Sequence, residues 1–165
     1  MVVFRRVFPL LLTAFVLASC SINPFAKTSS APLPLLCRSI PNLSTLTVVR
    51  TDSLPQNHLQ FTFPANVTVS NQTQVQGVAR ALCALPVGPL HKTLSCTTNA
   101  GTRYHLTFSS SDQAFPVMTL GSPCGFVQGL TKGQWTRQSP GIWRTLGTAM
   151  GIKGATFLTF DGTSS

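Results

Sequence analysis

Glutamate is absent from the 165 residues, and the only acids are Asp52, Asp112 and Asp161, set against 12 lysines and arginines. Any pair of carboxylates for general acid and base work must therefore come from those three. Each stands beside small polar residues in a predicted turn or tail, where a solvated aspartate is expected. Histidine is equally scarce, with only His58, His91 and His105. A hydrolase triad could draw on Asp112 with His105 or His91, but no G-x-S-x-G elbow exists to expose a serine. No two cysteines form a C-x-x-C pair and none lies at ligand spacing from a histidine, which argues against dithiol redox chemistry and zinc. The expectation is a chain that is not an enzyme, with no catalytic residues, no metal and no cofactor.

Long apolar runs are also missing, with one partial exception at the start. Arg5 and Arg6 precede a mostly apolar run from Val7 to Leu17. A transmembrane helix needs about 20 such residues, whereas the apolar part of a secretory signal needs only about 7–15 after a positive start. The two arginines stay on the cytoplasmic side and the following chain is exported.

The stretch Leu17-Ala18-Ser19-Cys20 resembles the lipobox of bacterial lipoprotein precursors, in which an apolar residue and two small ones precede an essential cysteine. The resemblance covers Met1 to Cys20. It implies cleavage before Cys20 and lipidation of the Cys20 thiol by diacylglycerol carrying acyl chains such as palmitate. One chain holds a protein only marginally, at about 0.8 kcal/mol per buried CH₂, whereas two or three anchor it stably. The implied location is the extracytoplasmic face of a bacterial cell membrane. The expected division is residues 1–19 as signal peptide, 20–36 as lipidated N-terminus and tether, and 37–165 as one domain. Cleavage would leave 165 − 19 = 146 residues, a common size for one domain.

Between Ser21 and Leu36 the chain reads SINPFAKTSSAPLPLL, rich in serine and proline and without helical or strand period. Its 16 residues would span roughly 20–25 Å as a semi-flexible tether. Loss of the signal would lower the formal charge from +9 to +7. A basic domain tethered to a membrane is drawn to anionic lipid or envelope polymers, and a protein partner is the other expectation. The basic residues are scattered singly, as at Lys27, Arg38, Arg144 and Lys153, so a nucleic-acid partner is not expected.

With Cys20 lipidated, Cys37, Cys83, Cys96 and Cys124 remain, an even number in an oxidising compartment. Two disulfides are expected, and four cysteines allow three pairings. A hairpin turning near Ser111 would bring Cys96 and Cys124 together, which favours Cys96–Cys124 and leaves Cys37–Cys83. Asn42, Asn66 and Asn71 head N-x-S/T triplets, but the lipobox implies a bacterium, and all three are expected to be bare.

Alternation predicts strands over residues 45–50, over HLQFTF with Leu59, Phe61 and Phe63 on one face, and over VTVS, the last two making a hairpin. Asn71 stands as N-cap of a helix whose apolar positions are Val75, Val78, Ala79, Leu82 and Cys83. Arg103 to Phe108 alternates again, with Tyr104, Leu106 and Phe108 inward, and FPVMTL returns as its partner after a polar turn. A further strand or two is expected between Gly125 and Arg137. Ser139-Pro140 starts a second helix burying Ile142, Trp143, Leu146, Ala149 and Met150, with Gly151 as its stop. ATFLTF reads as a last strand. The order predicts an α+β fold, a mostly antiparallel sheet with two helices packed on one face.

The candidate binding surface comprises Arg103 and His105 on the outward side of their strand, with Trp135 and Trp143 as indoles able to line a groove. The order of a helix cysteine, a second cysteine, a hairpin and a closing cysteine also resembles the subtilisin-inhibitor family. That resemblance implies a small disulfide-bonded protease inhibitor with its reactive loop near Cys96.

Overall fold

Strand β1 (Thr45–Asp52) alternates apolar and polar residues and sits inside a sheet, between β3 (Asn66–Val69) and β5 (Thr102–Ser109). The structure, a computed structural model, describes residues 35–52, 58–85, 87–89, 101–120, 126–130, 134–137 and 140–164. Leu46, Val48 and Arg50 stand opposite Phe108, Leu106 and Tyr104. Directly opposed residues of an antiparallel pair share a face, so these six line one side. The returning β6 (Ala114–Leu120) adds Phe115 opposite Phe108 and Val117 opposite Leu106. β3 adds Val69 and Val67 opposite Leu46 and Val48. Leu46, Val48, Tyr104, Leu106 and Phe108 are fully buried, each stabilising the fold by roughly 1.5–3 kcal/mol through removal from water.

Three short strands, β4 (Val87–Pro89), β7 (Phe126–Gln128) and β8 (Gln134–Arg137), extend the sheet to seven in the order β3-β1-β5-β6-β7-β8-β4. All of its pairings are antiparallel. With its helices this is an α+β fold. β4 falls in a stretch that the sequence reads as loop.

Helix α1 (Leu35–Arg38) and a single 3-10 turn (Ile40–Asn42) open the described chain. Helix α2 (Gln72–Cys83) starts where the Asn71 side chain accepts a hydrogen bond from the Gln74 N–H at 3.2 Å. Its predicted face is the one buried, through Val75, Val78, Ala79 and Leu82. On another side, Gln72 and Gln76 donate to the Pro41 carbonyl, tying helix to turn. A disulfide joins Cys37 to Cys83 with Cα atoms 5.8 Å apart, which is the expected pairing for these two cysteines.

Helix α3 (Pro140–Ala149) packs against α2 and buries Ile142, Trp143, Leu146 and Ala149. Its end is a Schellman motif: the Ile152 N–H bonds the Gly147 carbonyl at 2.8 Å and the Gly151 N–H bonds that of Thr148 at 3.1 Å. Gly151 takes a φ of +78°, as this turn requires. Gly147, out of place on propensity alone, lies where the chain comes back: a Cβ there would overlap that of Ala155.

Two segments depart from their predicted form. ATFLTF is not a strand; residues 157–161 form helix α4 (Phe157–Asp161), entered through Thr156, whose N–H donates to Thr159 Oγ1 at 3.1 Å. Helical spacing turns Phe157 and Phe160 inward and leaves Leu158 71% exposed. Period alone does not separate helix from strand in so short an apolar run.

HLQFTF is extended only at β2 (Leu59–Gln60), which pairs with β9 (Thr163–Ser164) in a separate two-stranded sheet. It makes no hairpin with β3, because Val67 and Val69 reach the core by pairing with Val48 and Leu46 of β1. Phe63 is buried and Phe61 half-buried, held by aromatic packing rather than by the sheet.

Candidate functional site

On the other side of β1 and β5 the residues alternate out of the core. Thr47 pairs with Thr68 of β3 and Thr107 of β5, Thr45 with Ser109, Val49 with His105, and Thr51 with Arg103. All are half-buried or exposed. β-branched threonines suit a pleated surface while leaving hydroxyls towards water, so this side is rich in hydroxyls. Arg103 is exposed at its edge, and the half-buried His105 meets Thr51 Oγ1 through Nε2 at 3.2 Å. The structure thus brings Arg103 and His105 together with Thr51, and this is the candidate binding surface. An array of hydroxyls with one guanidinium can accept and donate hydrogen bonds and attract an anion.

Trp143 does not belong to this surface. It is 2% exposed, with its ring centroid 5.8 Å from Tyr104, 5.8 Å from Phe157 and 4.8 Å from Phe160. Its apolar area is spent on the core instead, which corrects the groove expectation for this indole. Trp135 lies in β8 opposite Gly88, and its side chain is outside the described residues. Cys20, His91, Cys96 and Cys124 are also outside them, so the Cys96–Cys124 pairing and the lipobox fall there too.

Asp112 is an exposed turn residue, its N–H reaching Ser110 Oγ at 3.4 Å. Asp52 is exposed at the end of β1. Asp161 differs from its predicted solvated tail: it is half-buried at the end of α4, and its Oδ1 is sealed from solvent without a hydrogen-bond partner. Burial raises its pKa above the ordinary carboxylate value.

Asp161 adjoins a cluster that sequence reading misses. Tyr104, the chain's single tyrosine, is fully buried, and its hydroxyl donates to the Phe160 carbonyl at 2.6 Å. Beside it, Arg50 lies 3.7 Å above the Phe61 ring centroid and 5.0 Å from that of Phe63, and donates to the Phe63 carbonyl at 3.2 Å. Burial pushes the Tyr104 hydroxyl up, partly offset by Arg50. Burial lowers the Arg50 pKa, opposed by Tyr104 and Asp52. Thr102, 1% exposed and two residues before Tyr104, also keeps its Oγ1 without a partner. The cluster's one trace in the sequence is the parity of Arg50, which falls in step with Leu46 and Val48 along β1. An arginine there needs ring faces and a carbonyl to compensate it.

Among the described residues no group of three or more His, Cys, Asp and Glu side chains could hold a metal ion. Among them too, no helix is long and apolar enough to cross a membrane. No protein-family model, no curated protein and no solved structure matches the chain.

Proposed function

We propose that the chain is a lipoprotein precursor anchored by lipid on Cys20 to the extracytoplasmic face of a bacterial cell membrane. Its domain acts there by binding rather than by catalysis. The observation that carries this reading is Leu17-Ala18-Ser19-Cys20 at the end of a short apolar run that follows two arginines. The serine- and proline-rich stretch after Cys20 fits a tether. The Cys37–Cys83 bridge is consistent with an oxidising compartment. The threonine-rich side of the sheet with Arg103 and His105 offers a polar surface for a partner, and the positive charge favours anionic lipid or envelope polymer. Expression of wild type and Cys20→Ala in a bacterial host tests the anchor. Wild type should fractionate with membranes and incorporate labelled palmitate, and the variant should be exported yet released. Equal membrane retention of both proteins contradicts the reading.

A second reading, a protease inhibitor, draws on the bridged helix cysteine Cys83. Titration against subtilisin-like proteases separates the two: stoichiometric inhibition would favour the inhibitor, and its absence the binding domain.

A further inference from the structure

We propose that α4 and β9 form a clasp across the aromatic core that is tightest in acid and loosens as pH rises, with the Asp161 carboxyl as the group that responds. The clasp is closed by four contacts. The Tyr104 hydroxyl bonds the Phe160 carbonyl at 2.6 Å. Phe160 is fully buried against Phe63, Tyr104 and Trp143. Gly162, at φ +83°, packs so closely on Phe61 that a Cβ there would stand 2.7 Å from the ring. β9 completes the closure by pairing with β2.

Asp161 lies between Phe160 and Gly162, half-buried at the end of α4, so opening of the clasp would hydrate its carboxyl. One of its oxygens is sealed from water and has no donor. A carboxylate oxygen in that position has lost hydration without gaining a hydrogen bond.

The charged and titratable groups of the surrounding elements do not restore the balance. The Tyr104 hydroxyl of β5 donates its hydrogen bond to the Phe160 carbonyl. Arg50 of β1 is engaged with Phe61 and the Phe63 carbonyl, next to Asp52 at the strand end. Arg144 of α3 and Lys153 of the α3–α4 connection are exposed, as is His58 before β2. None of them supplies a donor to Oδ1.

Closure therefore favours the protonated carboxyl, in keeping with its raised pKa. Released into water, Asp161 ionises near pH 3.9. Below that value both forms carry the proton and closure is at full strength. As pH rises through the higher pKa of the closed form, ionisation favours release. Each pKa unit of difference multiplies the opening constant about tenfold. The inference does not depend on the lipid anchor.

Hydrogen exchange followed by mass spectrometry on the full chain in non-ionic detergent, from pH 4 to pH 8 and corrected for intrinsic exchange, reads the opening. Peptides covering residues 155–164 should lose protection as pH rises, while those from β5 hold theirs. In Asp161→Asn that loss should vanish and protection at pH 8 should exceed wild type. Parallel behaviour of both peptide sets in wild type, or an unchanged loss in the variant, overturns the proposal. Should the variant not fold, a carbon NMR titration of wild type decides. With three aspartates and no glutamate, the Asp161 carboxyl is readily resolved, and a midpoint at or below the ordinary aspartate value overturns the proposal.

Discussion

The Tyr104 hydroxyl, fully buried, donates a 2.6 Å hydrogen bond to the carbonyl of Phe160, 56 residues further along the chain. This bond joins the middle of the sheet to the last helix. Tyr104→Phe keeps the ring and strands a buried carbonyl, at a cost of about 1–3 kcal/mol. Urea unfolding should show a lower midpoint with an unchanged slope.

Two glycines in helices should respond to alanine in opposite directions. At Gly147 a Cβ would overlap Ala155, and overpacking of this kind costs about 1–3 kcal/mol. At Gly77 nothing lies within 4 Å of the added atom. There alanine should stabilise α2 by about 0.5–1 kcal/mol through helix propensity. Thermal melts of the two variants should fall on either side of wild type.

Much of the fold was legible because two periods were clean. Alternation in β1 and β5 placed Tyr104, Leu106 and Phe108 inward, and a 3.6-residue period with Asn71 as cap placed α2. Gly151 marked the end of α3 through its positive φ. The aromatic segments were harder, since Phe61, Phe63, Phe157 and Phe160 are positioned by one another and by Tyr104 and Trp143, partners distant in sequence. Trp143, read both as part of the buried face of its helix and as a candidate for the surface, is core. Of the candidate surface, Arg103 and His105 were readable from strand parity alone. The Arg50 cluster was not, because an arginine at an inward position has meaning only once its rings and carbonyl are in place.

The Cys37–Cys83 bridge closes a loop of 46 residues around β1, β2, β3 and most of α2. Chain-entropy reasoning assigns such a loop about 4 kcal/mol. The double variant Cys37→Ser/Cys83→Ser should therefore unfold at a markedly lower urea concentration. A thiol titration of denatured, unreduced wild type should find neither Cys37 nor Cys83 reactive; labelling of both would remove the bridge from the account.

The anchor is tested most directly at the chain's mature end. Intact-mass and N-terminal peptide mass spectrometry of protein extracted from bacterial membranes should find Cys20 as the first residue, carrying a diacylglycerol on its sulfur. A mature chain beginning elsewhere, or beginning at Cys20 with an unmodified thiol, would contradict a lipid-anchored lipoprotein.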